Sequence, residues 1–172
     1  MNHAVSLGEH ASALSLLTSA PIGIMAALTA VELGGRSGIP AAGRLRAAYL
    51  SSSAPVRLAA LGMAISATIH LGLVASHASE GPVLAVLLGL DGIALAALAV
   101  CAPIAPLTLW RVVAGALLAG SVSAYLGFLA AGLERPDPLG IATKLLELAV
   151  LGLLLAVRAR GIHLPALARE RS

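Results

Sequence analysis

Four ionisable side chains fall within long apolar stretches of this 172-residue chain: His70, Asp91, Lys144 and Glu147. An ionisable residue in a membrane span costs roughly 2.5 to 3.5 kcal/mol on insertion scales, so such residues usually face the interior of a helix bundle and have partners there. Imidazole and carboxylate groups bind protons and metal ions. The sequence therefore predicts an intramembrane polar site, and Tyr125 in a further apolar stretch is counted with it.

The depth of these five residues predicts one shared layer. At about 1.5 Å per residue, each lies roughly 8 to 12 Å inside the same end of its predicted helix. Every predicted core helix contributes at least one polar group to this layer. Ser121 lies one turn before Tyr125 and shares its helix face.

A second group of residues marks the outer end of the layer. Ser66, His70 and His77 follow i, i+4, i+11 spacing, which places them on one helix face. Glu80 follows His77 after two residues. The pattern predicts an outward-opening polar pocket with His77 and Glu80 at its mouth and the five-residue layer as its floor. For a metal ion it predicts His70, His77 and Glu80 as ligands.

Simpler roles are open for the same residues. Lys144 and Glu147 are spaced i, i+3 and could form only a neutralising ion pair. His70 could be a neutral histidine that joins two helices by hydrogen bonds. Asp91 is harder to explain in this way, because a carboxylate in the middle of an apolar helix needs a proton, a cation or a hydrogen-bond donor.

Apolar helices must position these residues. The chain is 59% hydrophobic and 11% charged, whereas about a quarter of the residues in soluble proteins are charged. Apolar runs of about 20 residues match about 30 Å of hydrocarbon. The fold predicted is all-α, a polytopic transmembrane helix bundle with four spans: 58–76, 83–102, 112–133 and 139–157. A fifth stretch, 11–31, is a marginal span that either crosses the membrane or lies on its surface, because serine, threonine and proline residues interrupt it.

Arginine placement predicts the orientation. Residues 1–57 form an N-terminal extension that contains the marginal span and a basic loop with Arg36, Arg44, Arg46 and Arg57. Short basic loops stay in the cytoplasm. This predicts a multi-pass protein of the cell membrane, with the loop, the turn at Arg111 and the basic tail 158–172 inside, so that the C-terminus is cytoplasmic.

Several classes of function are excluded by the sequence. The arginines are split among short segments, so no continuous surface for nucleic acid is expected. Cys101 is the single cysteine, which excludes an internal disulfide and a thiolate metal cluster. The common nucleotide-binding, serine-hydrolase and zinc-protease motifs are missing, and no enzyme is predicted. No haem is expected, because His70 and His77 lie about 10.5 Å apart on one helix and cannot ligate one iron together.

The polar residues also carry a resemblance. The chain resembles small Ala-rich four-helix membrane proteins of GC-rich bacteria. The resemblance lies in His70-Leu71, followed after five residues by His77 and after two more by Glu80, then a span interrupted by glycines, and later Lys144-Leu145-Leu146-Glu147. The similarity covers about residues 58–157. The chain lacks an aromatic pair early in the second core helix and an acidic residue just before Lys144. The resemblance implies a four-helix core whose polar layer belongs together, and it implies no substrate.

Three functions remain open. The pocket could bind or conduct a proton or a transition-metal ion such as copper, since imidazole suits copper and zinc. Alternatively, the chain is a non-catalytic accessory subunit, with its polar residues fixing helix register and its small-residue faces docking onto a membrane-protein partner. A third reading is a homo-oligomeric channel. The lipid bilayer is the surrounding partner in each case.

Overall fold

The computed structural model describes residues 24–25, 29–78, 81–133 and 136–160, and all regular secondary structure in these ranges is α-helical. A short helical stretch covers residues 29–36. Most of the predicted marginal span 11–31 lies outside the described residues. The longer helices are α1 (Pro40–Ser51), α2 (Ala54–His77), α3 (Pro82–Cys101), α4 (Leu107–Ala130) and α5 (Pro138–Arg160).

Helices α2 to α5 are each long and apolar enough to cross a membrane. Their outer faces carry large aliphatic side chains that are exposed in the isolated chain, among them Val83, Leu90, Val112 and Leu155. A helix satisfies its backbone hydrogen bonds internally, so such surfaces can face lipid directly. The predicted fold class, an all-α polytopic bundle with four spans, is confirmed.

Proline residues mark where the helices begin. A proline in the first helical turn loses no backbone hydrogen bond, because those N–H groups have no partner within the helix. The prolines at the helix starts are Pro40, Pro55, Pro82, Pro106 and Pro138.

The third span differs most from its predicted bounds of 112–133. Helix α4 begins five residues earlier, directly after Pro106, and ends before Gly132, whose φ of 69° breaks the helix. Arg111 therefore lies within α4 and not in a turn. Its Nε atom donates to the backbone oxygen of Leu154 at 3.1 Å, which ties α4 to α5 and gives the guanidinium an acceptor.

The basic segment before α2 contains helix, where the sequence indicates a loop. Residues 29–36 and α1 are joined by a turn at Gly38, which has a φ of 79°. Glu32 binds the guanidinium groups of Arg46 and Arg36, the latter at 2.7 Å. Hydrogen bonds from Arg46 and then Arg36 hold the pKa of Glu32 below its usual value. The ion pair between Glu32 and Arg46 connects the two helical pieces, whereas the pair between Glu32 and Arg36 lies within residues 29–36.

The four spanning helices form a closed antiparallel ring. Helix α2 packs against α3 and α5, and α4 completes the ring against α5 and α3. Between α2 and α5, Ser66 contacts Glu147 while His70 contacts Lys144, so residue numbers rise on one helix as they fall on the other. The connections are short, as antiparallel neighbours require. All four helices can therefore place a side chain at one level of the interior.

The apolar core occupies the half of the bundle that carries Arg57 and Arg111. Trp110 is buried in this half, near the start of α4, and its Nε1 atom donates to the backbone oxygen of Leu98 on α3 at 2.8 Å. The core is formed by small and aliphatic side chains of α2 to α5, which pack around this tryptophan: Val56, Ala59, Ala60, Met63, Ala67, Leu95, Ala102, Ala114, Leu118, Val150 and Leu154.

Gly92 allows α3 to approach α2 closely. A Cβ atom at this position would lie 2.8 Å from Cγ of Leu71 and 3.2 Å from the backbone oxygen of Ala67. The substitution Gly92→Val is therefore expected to lower the free energy of unfolding in detergent by about 1 to 3 kcal/mol, as overpacking does in other cores. Gly120→Val is the matched control, because nothing lies within 4 Å of its Cβ position. Equal losses in the two variants would contradict this close packing.

Candidate functional site

Six polar side chains meet in the interior of the bundle, and all four spanning helices contribute. This polar cluster consists of Ser66 and His70 on α2, Asp91 on α3, Ser121 on α4, and Lys144 and Glu147 on α5. Glu147 follows Pro138 by nine residues, or about 13.5 Å along α5. The cluster therefore lies near the middle of the spans, next to the apolar core.

Glu147 is the most deeply buried member, with a side chain that is 0% exposed. Its Oε1 atom accepts a hydrogen bond from Ser66 Oγ at 2.6 Å, and its Oε2 atom accepts one from Lys144 Nζ at 2.9 Å. Helices α2 and α5 can approach each other here because Gly62, one turn before Ser66, has no side chain. The side chain of Val150 occupies the space that a Cβ atom at this position would need. Both carboxylate oxygens thus have a donor.

Lys144 uses all three of its N–H bonds within the cluster. Its Nζ atom donates to Glu147 Oε2, to Ser121 Oγ at 2.7 Å and to His70 Nε2 at 3.2 Å. An ammonium group has three donors and no acceptor, so these bonds satisfy it completely. The side chain is 12% exposed, and the cost of burying its charge is offset by one ion pair and two further hydrogen bonds.

The hydrogen bonds of His70 indicate which nitrogen carries its proton. Nδ1 lies 2.9 Å from the backbone oxygen of Ser66, which can only accept, so Nδ1 is the donor. Nε2 faces the ammonium of Lys144, which can only donate, so Nε2 offers its lone pair. These two contacts favour the neutral tautomer of His70 that carries its proton on Nδ1.

Asp91 is the most accessible ionisable member of the cluster, with an 18% exposed side chain. Its Oδ2 atom accepts a hydrogen bond from Ser121 Oγ at 2.7 Å and lies 3.4 Å from His70 Nε2. Ser121 therefore connects Asp91 to Lys144, since its oxygen accepts from the lysine and its hydroxyl donates to the carboxylate.

The cluster contains two carboxyl groups and one amine. If both carboxyl groups are ionised, Lys144 is an ammonium and His70 is neutral, the cluster carries one negative charge in an apolar bundle. An uncompensated charge in such surroundings is strongly unfavourable. Neutrality requires one more positive charge, which is either a proton on one of the titratable groups or a bound cation.

Tyr125 lies beside the polar cluster. It is buried, and the centroid of its ring lies 5.9 Å from Lys144 Nζ, a distance at which a cation is attracted to an aromatic face. Gly140 leaves room for this ring, because a Cβ atom there would lie 2.9 Å from Tyr125 Oη. The structure thus places all five residues of the predicted layer at one level.

The predicted metal ligands are His70, His77 and Glu80. Among the described residues, the side chains whose ligand atoms lie close together form a different set. His77 lies seven residues beyond His70 on α2, about 10.5 Å along the axis, and its Nδ1 atom lies 3.0 Å from the backbone oxygen of Leu73. Glu80 lies outside the described residues. The ligand atoms that lie within 4.8 Å of one another belong to His70, Asp91 and Glu147.

The predicted open polar pocket is a closed, hydrogen-bonded cluster in the part of the chain that the structure describes. In a region of low dielectric constant, polar groups gain more from bonding one another than from facing an apolar space. The grooves beside the cluster are aliphatic. One groove of about 240 Å³ runs between α4 and α5. It is lined by Lys144 and Tyr125 together with Val122, Leu126, Leu129, Ile141, Leu145 and Leu148.

The bundle is asymmetric about the cluster. Most of the apolar core lies between the cluster and the arginine-bearing end, and Met63, Leu95 and Leu118 are fully buried there. The aliphatic groove lies level with the cluster and toward the other end. The packed core separates the cluster from the arginine-bearing end, so exchange with water is favoured at the opposite end.

Two functional residues were not assigned to the site from the sequence, Ser66 and Ser121. Their spacing placed each one turn from a site residue, but serine is frequent in this chain and does not by itself indicate burial. In the structure each serine connects helices by hydrogen bonds. Ser66 on α2 bonds to Glu147 on α5, and Ser121 on α4 bonds to Asp91 on α3 and to Lys144 on α5. The i, i+4 pairing with His70 and Tyr125 was the available signal.

Comparison of the chain with protein-family models, with curated proteins and with solved structures finds no match.

Proposed function

We propose that this chain is a multi-pass protein of the cell membrane whose polar cluster binds and releases one proton from the outer side. The observation that carries the proposal is the composition of the cluster: two carboxyl groups and one lysine lie together in an apolar bundle, so the ionised carboxylates need one further positive charge for neutrality. The group that restores neutrality is exchangeable, unlike Lys144, which is fixed to the chain. A proton is the smallest cation that can fill this role within a closed hydrogen-bonded cluster.

The position of Asp91 favours it as the carboxylate that exchanges the proton. It is the most accessible ionisable member of the cluster, whereas Glu147 is completely buried and has a donor on each oxygen. His70 Nε2 lies 3.4 Å from Asp91 Oδ2 and 3.7 Å from Glu147 Oε1. His70 therefore contacts both carboxylates, and a proton bound at Asp91 lies beside its Nε2 atom.

Arginine placement supports the orientation. Arg57 and Arg111 lie near the starts of α2 and α4, which the antiparallel ring brings to the same end of the bundle. Short basic segments are retained in the cytoplasm. This end is then cytoplasmic, the C-terminus lies on the same side, and the packed core lies between the cluster and the cytoplasm.

Proton binding is tested with purified protein in liposomes, in a weakly buffered outer solution that contains a membrane-impermeant pH-sensitive dye. The parent chain is expected to take up protons when the outer pH is lowered, and Asp91→Asn is expected to abolish that uptake because its cluster is already neutral. The matched control is Asp137→Asn. Asp137 lies at the start of α5, where its Oδ1 atom accepts from the backbone N–H groups of Leu139 and Gly140, outside the cluster.

Infrared difference spectra report the same event without relying on transport. A carbonyl-stretch band from a protonated carboxyl group is expected in the parent and in Asp137→Asn and is expected to be lost in Asp91→Asn. If Asp91→Asn takes up protons like the parent and keeps the band, the proposal fails. The cluster would then be a register-fixing network, as in an accessory subunit of a larger membrane complex.

A further inference from the structure

We infer that Lys144 is a built-in cation that keeps metal ions out of a latent three-ligand site formed by His70, Asp91 and Glu147. The inference rests on the proposed function, because it specifies which class of cation the cluster exchanges. Without the lysine, one imidazole nitrogen and two carboxylate oxygens would face one another within 4.8 Å. Such a set is close to what a borderline divalent ion requires.

The lone pair of His70 makes metal binding and the bond to Lys144 mutually exclusive. Nδ1 is committed to the backbone oxygen of Ser66, so Nε2 is the nitrogen that could bind a metal ion. That nitrogen has one lone pair, and the ammonium of Lys144 donates to it at 3.2 Å. A metal ion bound to His70 would have to displace this N–H group.

Charge acts in the same direction. Lys144 Nζ lies 2.9 Å from Glu147 Oε2, so a divalent ion that shares this carboxylate would meet a fixed positive charge at close range. Like charges at such distances disfavour each other strongly in a medium of low dielectric constant. A proton adds a single charge and can attach to Asp91, away from the bond between Lys144 and Glu147.

The donor set determines which metal the latent site would take. One imidazole with two carboxylates suits zinc, cobalt and similar divalent ions, whereas Cu(I) prefers thiolate and thioether ligands. Co²⁺ is a convenient probe, because its visible absorption changes when nitrogen and oxygen ligands replace water. Ligand-to-metal distances near 2.0 to 2.2 Å, typical of zinc-like sites, would require only small movements of side chains that already point at one another.

The experiment is a Co²⁺ titration of the full-length, tag-free protein in detergent, followed by visible absorption and calorimetry. Lys144→Gln removes the charge but keeps an amide that can donate to Glu147 and Ser121. This variant is expected to bind one Co²⁺ about 100-fold more tightly than the parent, the size of effect that a close charge of like sign has on a neighbouring site. Adding His70→Ala to Lys144→Gln is expected to remove the gain, while binding to other histidines persists in both.

A second variant protects the test against misfolding. Lys144→Met has a similar length and no donor, and Co²⁺ is expected to raise its thermal stability because a ligand that binds only the folded state stabilises it. If the parent binds Co²⁺ as tightly as the lysine variants, Lys144 excludes nothing and the inference is wrong. If neither lysine variant gains a Co²⁺ site that depends on His70, the latent site does not exist. Either result leaves proton uptake, measured with Asp91→Asn, as a separate outcome.

Discussion

Lys144→Met is expected to lower the free energy of unfolding in detergent, without added metal ions, by about 3 to 5 kcal/mol, the usual cost of removing one partner of a buried ion pair. Glu147 is completely buried, and Lys144 is the nearest cation to it. After the substitution, two carboxylates share the interior with no permanent positive charge. Equilibrium unfolding in mixed micelles measures the loss.

Two further variants separate the effect of burial from that of total charge. Arg36→Met removes one positive charge from an exposed side chain and is expected to change stability by less than about 0.5 kcal/mol. Lys144→Met combined with Glu147→Leu removes the pair together and is expected to recover much of the loss, because no buried charge is left without its partner. If Lys144→Met is as stable as the parent, the ammonium does not stabilise Glu147 and the charge count for the cluster is wrong.

Trp110→Ala is expected to cost about 3 to 5 kcal/mol, the typical range for removing a large aromatic side chain from a packed core. Trp110 is 2% exposed and lies in the core at the arginine-bearing end of the bundle. Its indole also donates to the backbone oxygen of Leu98, so the substitution removes a link between α3 and α4 as well as packing. Thermal or denaturant-induced unfolding in detergent gives the difference.

The neighbouring residue supplies a matched control. Leu109 is 61% exposed and belongs to the lipid-facing surface, so Leu109→Ala is expected to have a much smaller effect. Trp110→Phe keeps most of the packing and loses the hydrogen bond, and it should fall between the two alanine variants. Similar losses for Trp110→Ala and Leu109→Ala would show that this end of the bundle is not a packed core.

The site itself was only partly predictable. His70, Asp91, Lys144 and Glu147 were recognisable because an ionisable residue within an apolar run is rare and has few explanations in a membrane. The metal ligands predicted from spacing included His77, because His70 and His77 share a helix face. The structure instead groups His70 with Asp91 of α3 and Glu147 of α5. His70 and His77 share a helix face, but they lie too far apart along the α2 axis to bind one ion.

The amino-acid sequence alone predicts four helices that are long and apolar enough to cross a membrane, with their ionisable residues at one level. Both properties are local: span length follows from apolar composition, and depth follows from the rise per residue. The tertiary structure decided which groups bond one another. Because these helices are apolar on all faces, the sequence does not show which face turns inward: Leu95 is fully buried and Leu90 is exposed on the same helix. The close approaches at Gly62 and Gly92 bring α5 and α3 against α2, and the packing of the helices brings polar groups at one level into a closed cluster.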